Sequence, residues 1–235
     1  VSSEIFSYFF IVWREKMKKT FALKPLALSV AVAAASAASI VPATVQAGVS
    51  ANIGMVSGYV FRGVEQTETA SASAGLDFES DAGFYIGTWA ADVEDGLEYD
   101  IYAGWSGEFE GVSLGLGATG YYYTDDWDEP YEEVNLSVGY DMFSVGYDIG
   151  KYDGDIDYDH MSVGVGIEDF SITLGQYDPD TDTDDDAKTY LDLGYGTELS
   201  PGLDGSINLI GVDSEGDVDD TYYLILGVSK SFDLM

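Results

Sequence analysis

The sequence predicts an all-β protein: an antiparallel transmembrane β-barrel of about 12 strands, with short periplasmic turns and longer acidic extracellular loops. Three observations carry this. Apolar and polar residues alternate with a period of two through almost all of the chain after Gly48. The connections between the alternating segments are short and long in turn. Aromatic residues gather at the ends of the apolar face, with aliphatic residues between them. A period of two is that of half-buried strands, because successive side chains point to opposite faces. Short turns at one end and longer loops at the other are the plan of an outer-membrane barrel.

The chain begins with material expected to lie outside the fold. Residues 17–47 read MKKTFALKPLALSVAVAAASAASIVPATVQA. Lys18, Lys19 and Lys24 form a basic start, an Ala-rich apolar run follows, and Val45-Gln46-Ala47 offers small residues at the cleavage positions. This is a Sec-type signal peptide, cut before Gly48. A membrane-anchor helix fits less well, because the run is rich in Ala and Ser and ends in a Pro and a cleavage-like site. Residues 1–16 precede this better start and are read as an upstream extension outside the translated protein. The barrel is expected to occupy 48–235.

Charge and cysteine content exclude several classes. Of 43 acidic residues only Glu4 and Glu15 precede Gly48, which leaves 41 acids against Arg62, Lys151, Lys188 and Lys230, a formal charge of −37. Nucleic acid is excluded as a partner, because phosphate binding needs a basic surface. With no Cys, thiolate catalysis, disulfides and zinc–thiolate sites are excluded. An aromatic content of 14% argues against disorder. After Gly48 no apolar run reaches the roughly 18 residues of a spanning helix.

The predicted strands are 49–61, 70–79, 84–93, 97–107, 112–123, 131–140, 143–151, 158–167, 170–177, 188–197, 203–212 and 221–232. Ala70, Ala72, Ala74, Leu76 and Phe78 share one face of the second strand, and Ser71, Ser73, Gly75, Asp77 and Glu79 the other. Leu97, Tyr99, Ile101, Ala103 and Trp105 repeat the pattern against Glu98, Asp100, Tyr102, Gly104 and Ser106. The third strand, FYIGTWAADV, reads equally well in either parity. Short turns fall at 80–83, 108–111, 141–142, 168–169 and 198–202; the longer connections are 62–69, 94–96, 124–130, 152–157, 178–187 and 213–220. An even strand count puts both termini on the short-turn side.

Aromatic placement decides which face points outward. At the short-turn ends the apolar face carries Phe78, Trp105, Tyr140, Phe143, Phe170, Tyr195 and Phe232. At the loop ends Tyr59, Phe61, Tyr122, Tyr158 and Tyr222 are assigned to a second girdle. Two aromatic belts around an aliphatic band match the two membrane–water interfaces. The final strand, TYYLILGVSKSF, resembles the terminal signal read by the barrel-assembly machinery.

Ser57–Thr67 reads SGYVFRGVEQT. Together with GFYIGTWA at 83–90 and EYDIYAGWSGE at 98–108, the chain resembles the TorF-type porin family, which carries the Gcw_chp domain. The resemblance covers essentially all of 48–235, and YVFRG-x-x-QT is its most specific part. It implies a bacterial outer-membrane protein of porin type, and says little about the solute.

Twelve strands close a cylinder of roughly 12 Å backbone radius. The proposed inward positions are mostly small, among them Ser71, Ser73, Gly75, Gly104, Gly117, Ser137, Gly146, Ser162, Gly175 and Gly194. Such a lumen is expected to hold water. Its acids are Asp77, Asp100, Asp148 and Asp192, with Glu98 and Glu133 nearer the ends and Arg62 near a mouth. A ring of carboxylates favours cations and repels anions. The run Asp178–Asp186 offers Asp178, Asp180, Asp182 and Asp184 as oxygen ligands for Ca²⁺ or Mg²⁺, although it fails the EF-hand pattern and a solvated, self-repelling loop is the simpler reading. No catalytic residue is expected: His160, the only His, lies inward with Ser162, and no G-x-S-x-G motif occurs. No cofactor is called for. The function expected is passive diffusion of small hydrophilic solutes across the outer membrane of a Gram-negative bacterium, with a leaning to cations. The alternative is a plugged or closed barrel with a structural, adhesive or divalent-ion-binding surface role. The expected partners are outer-membrane lipids and lipopolysaccharide, the barrel-assembly machinery and small solutes.

Overall fold

The computed structural model describes residues 47–152, 156–179, 187–214 and 220–234. The leader and the upstream stretch lie outside them, as do Asp180, Asp182 and Asp184.

Twelve antiparallel strands form one closed barrel: β1 (Gly48–Val56), β4 (Ser71–Glu79), β5 (Phe84–Val93), β6 (Gly96–Phe109), β7 (Val112–Tyr123), β8 (Tyr131–Tyr140), β9 (Phe143–Tyr152), β10 (Ile156–Ile167), β11 (Phe170–Pro179), β12 (Lys188–Ser200), β13 (Leu203–Ser214) and β14 (Thr221–Asp233). Each strand pairs with its sequence neighbour, and β1 closes the ring on β14 through registers such as Asn52–Ser231 and Val56–Gly227. Full closure leaves no unpaired edge, the condition for a sheet to cross a bilayer.

Alternation sets the faces. Leu76 (47% exposed), Ile101 (53%), Leu136 (42%) and Leu224 (63%) point away from the barrel. An aliphatic outer band of this kind is stable only against hydrocarbon. Phe78, Trp105, Tyr140, Phe143, Phe170, Tyr195 and Phe232 also face outward, at the end that carries the chain termini. The tight connections β4–β5, β6–β7, β8–β9, β10–β11 and β12–β13 lie at that same end. Glu110 and Gly111, with φ of 51° and 81°, turn the chain there in two residues.

The first predicted strand, 49–61, is corrected. β1 ends at Val56, and the chain then leaves the wall. Residues read as the end of that strand and the following loop form a separate hairpin, β2 (Tyr59–Phe61) and β3 (Val64–Thr67). Phe61 pairs with Val64 across a two-residue turn in which Arg62 (φ 51°) and Gly63 (φ 82°) both take left-handed conformations. That is the geometry of a type I′ turn, whose twist suits a tight hairpin. Gly63 is also needed for close approach, because a Cβ there would stand 3.3 Å from the Val212 side chain.

The hairpin folds into the barrel. Tyr59 and Val60 are buried with Val56 of β1, Ala91 and Val93 of β5, Tyr190 of β12, Ile210 and Val212 of β13 and Ile225 of β14. An apolar core therefore lies inside the loop-side half of the barrel, between hairpin and wall. Val60 is 0% exposed, and burying one such side chain contributes about 2 kcal/mol. Ser57 ties the base of the hairpin to the wall: its N–H donates to the Leu226 carbonyl (2.8 Å), and its Oγ accepts from the Leu226 N–H (2.9 Å).

The loop-side girdle is corrected with it. Tyr59 and Phe61 belong to the hairpin, and Tyr158 is buried in the lumen, in the parity of His160. Tyr122 stacks on Tyr99 at 5.5 Å, and Tyr222 stands 66% exposed, both at the loop end of the wall.

Candidate functional site: the lumen and its hairpin

The inward face is read directly from strand pairing. Asn52 lies opposite Gly75, Asp77 opposite Gly87, Asn135 opposite Asp148, His160 opposite Asp148, and Asn208 opposite Gly194. The positions proposed as inward from sequence share this face.

Arg62 is at the hairpin tip within the lumen, not at a mouth. Its Nη1 donates to Glu133 Oε2 (2.7 Å) and its Nη2 to Glu133 Oε1 (2.9 Å). The Nη2 also donates to Asp148 Oδ2 at 2.8 Å. A two-point guanidinium–carboxylate contact fixes orientation as well as charge. Both charges are almost completely buried, and such a pair holds only when the remaining oxygens are also satisfied. They are: Tyr121 OH (2.7 Å), Tyr158 OH (2.9 Å) and Asn135 Nδ2 (2.7 Å) donate to Glu133. Asn135 Nδ2 also donates to Asp148 Oδ1 (2.9 Å).

His160, 0% exposed, extends this network. An ionised Asp148 can only accept, so the imidazole Nδ1–H donates to it (2.8 Å), and in the neutral ring Nε2 accepts from Tyr190 OH (2.7 Å). Hairpin, β8, β9, β10 and β12 are thereby bound into one polar cluster.

The other predicted acids are placed separately. Tyr59 OH donates to Glu98 Oε1 at 2.7 Å. Asp100 is buried beside it on β6. Asp77 accepts from Tyr102 OH and from Asn52 Nδ2 (3.3 Å). Asp192 accepts from Asn208 Nδ2 at 2.9 Å. In the structure these acids lie on the inward face of the wall. The structure gathers Arg62, Glu133 and Asp148, while Asp77 is held by Tyr102 and Asn52. Asp178 is exposed near the loop end of β11, and among the described residues no group of three or more His, Asp or Glu side chains is arranged to hold a metal ion. At the rim, partial burial and then the Glu68 and Glu94 charges raise the Glu65 carboxyl above its usual range.

The expectation that small residues leave the lumen open needs correction. Tyrosines occupy the space above the glycines. Tyr85 pairs with Gly104, Tyr102 with Gly87, Tyr158 with Gly150 and Tyr190 with Gly175, and each ring lies where a Cβ on its glycine partner would be. An aromatic side chain laid over a cross-strand glycine fills the groove and pins the register. Nearer the loops, Tyr121 stacks on Tyr131 at 4.3 Å, and Tyr123 and Tyr152 lie against Tyr131 as well. The turn-side half carries Tyr85 but is otherwise polar. Ser50, Asn52, Ser73, Asp77, Ser113, Ser137, Ser144 and Asn208 line it, all partly exposed, as a polar vestibule.

Sequence reasoning put Tyr102 on the inward face but missed the other tyrosines, the asparagines and the inward Ile210, Val212 and Ile225. The signal available was apolar character on both faces of β5, β13 and the loop end of β14.

A closed 12-strand antiparallel barrel with an aliphatic outer band and a polar, partly filled lumen has the architecture of a transmembrane β-barrel of the outer-membrane type. The sequence matches the family described as "Bacterial protein of unknown function (Gcw_chp)" over residues 40–224, and the chain belongs to that family. Among solved structures, the KdgM porin superposes with a TM-score of 0.52 at 13% identity, over 78% of this chain and 98% of that one. The "KdgM porin in complex with disordered oligogalacturonate" gives 0.51 at 13% identity, with the same 78% and 98% coverage. A structure from work on the in-meso crystallization of membrane proteins gives 0.56 at 12% identity, over 79% of this chain and 83% of that one. At such identities the likeness is one of fold. No curated protein matches the chain.

Proposed function

We propose that the protein is a diffusion channel of the Gram-negative outer membrane for small hydrophilic solutes, narrowed by the β2–β3 hairpin and favouring cations. The observation that carries this is the inward face itself. It is largely polar from the turn-side opening to the hairpin, and the Arg62 guanidinium is already committed to Glu133 and Asp148. Asp77, which accepts from the neutral Tyr102 and Asn52, leaves the vestibule negative. Wall charges act across much of a lumen this wide, because screening extends over roughly 8 Å at physiological salt. The TorF-type resemblance, export through the Sec pathway, contact with lipopolysaccharide and handling by the barrel-assembly machinery belong to the same proposal.

The hairpin supports a second reading, a closed barrel with a surface role. Its apolar residues are packed as a core, and its tip is bound by buried ionic contacts. Single-channel recording of the refolded mature protein in planar bilayers separates the two. Stable openings with a reversal potential on the cation side are expected. A folded barrel that never conducts would overturn the channel reading in favour of the closed one.

A further inference from the structure

We infer that Glu98 and Asp100, neighbours on the inward face of β6 beneath the hairpin, form a binding site for a monovalent inorganic cation. The two residues are separated by one position, so their side chains point the same way, roughly 7 Å apart along the strand. Both are deeply buried, at 1% and 7% exposure. Glu98 Oε2 and Asp100 Oδ1 have no hydrogen-bond partner of good geometry, although the Tyr123 hydroxyl approaches the Glu98 carboxylate as a neutral neighbour. The other lumen acids are answered: Glu133 and Asp148 by Arg62 and Asn135, Asp77 by Tyr102 and Asn52, Asp192 by Asn208. Arg62 does not serve the pair. Its terminal nitrogens are taken, and its Nε has no acceptor in reach. The Glu98 and Glu133 charges bear on Asp100 and make an unpaired carboxylate there costlier.

A buried carboxylate pair without a counter-charge is relieved by a cation between its free oxygens. The ligand set selects the charge class. Ca²⁺ and Mg²⁺ require about six or more oxygen ligands in a well-populated shell. Among the described residues no cluster of three acidic or imidazole groups offers that. Two carboxylate oxygens, with water completing the shell, suit K⁺ or Na⁺, whose single charge makes partial dehydration cheaper than for Mg²⁺. The site deepens the cation-channel reading and rests on it for its role, but its occupancy is tested without current.

The test uses the refolded mature protein in detergent micelles. Its unfolding midpoint is followed by heat-modifiable gel migration, in KCl and in N-methyl-D-glucamine chloride of equal ionic strength. The wild-type midpoint is expected to climb as K⁺ replaces the bulky cation, in the manner of single-site linkage. Glu98→Gln/Asp100→Asn is expected to lose that dependence. Equal midpoints in the two salts for the wild type, or an unchanged K⁺ dependence in the double variant, would overturn the site. So would the infrared carbonyl band of a protonated carboxyl, present in wild-type protein in K⁺ and absent from the variant, since a proton would then do the work assigned to the ion. If the double variant does not refold, each single variant is expected to weaken apparent K⁺ affinity about tenfold or more. Unchanged affinity in both singles overturns the proposal. A barrel that responds to K⁺ yet never conducts keeps the site and removes the channel. Conduction with no K⁺ response does the reverse.

Discussion

Arg62, at the tip of a hairpin that leaves β1, grips Glu133 of β8 at two points, 2.7 and 2.9 Å, across the interior of the barrel. The contact joins residues 71 apart in sequence and holds the hairpin in the lumen rather than above it.

Removing that grip is expected to free the hairpin. Arg62→Ala leaves Glu133 and Asp148 buried without their cation, a loss of about 3–5 kcal/mol. The unfolding midpoint should fall and single-channel current should become larger and noisier. Arg62→Lys keeps the charge but loses the two-point geometry, so it should fall between wild type and Ala. A wild-type current trace from Arg62→Ala would mean that the hairpin does not limit the pore.

The two faces of β8 predict opposite responses at adjacent positions. Leu136 faces lipid and Ser137 faces the lumen. Leu136→Arg should cost about 2–4 kcal/mol and impair assembly, because the charge enters hydrocarbon near mid-membrane. Ser137→Arg should fold and lower cation preference. Folded yield and reversal potential read the two outcomes.

The parity of the wall was legible where, as in β4, the inward positions are small or acidic and the outward ones apolar. Ala72, Ala74, Leu76 and Phe78 against Ser71, Ser73, Gly75 and Asp77 leave one solution. The hairpin was not legible, because Tyr59-Val60-Phe61 extends the apolar pattern of β1 and Val64–Thr67 is only four residues long. The turn signal at Arg62-Gly63 is half hidden, since Arg seldom takes positive φ. Arg62 was recognised as the base belonging with the inward acids, but its depth depends on where the chain leaves the wall, which alternation does not encode. β5 read either way for the same reason: its inward Trp89, Ala91 and Val93 meet an apolar hairpin instead of water.

Replacing a glycine that underlies a tyrosine should be felt at a distance. A side chain at position 175 collides with the Tyr190 ring, whose hydroxyl holds His160. Gly175→Val is expected to destabilise the barrel by about 1–3 kcal/mol through overpacking. Gly166→Val, at an inward glycine with nothing within 4 Å of a built Cβ, should cost little by comparison. Heat-modifiable migration on gels compares them.

Vestibule charge is tested by Asp77→Asn/Asp192→Asn. Both residues are hydrogen-bonded to neutral groups, so Asn preserves shape while charge is lost. The reversal potential under a salt gradient should move toward zero, and the wild-type preference should fade as salt rises. An unchanged potential would place selectivity elsewhere, at the Glu98 level or in the loops.

Topology is open to labelling, since the chain has no Cys of its own. A single Cys at Asp126, in the β7–β8 loop, should react in intact cells. Cys at Asp81 or Asp169, in tight turns, should react only after lysis. The reverse pattern would invert the barrel.

The hairpin also sets a schedule for assembly. Ser57 is stitched to Leu226, 169 residues onward, and Tyr59 and Val60 find their apolar company in β5, β12, β13 and β14. The segment emerges early from the ribosome, yet three of the four strands it packs on are among the last made. Until β14 meets β1 the seam stays unsealed and a sticky apolar stretch remains unsheltered. Contacts this distant in sequence form slowly, because a long loop must close before they are rewarded. The strand pair that completes the cylinder is therefore also the event that takes the hairpin in. An N-terminal segment acts as a latch that only a finished C-terminus can fasten.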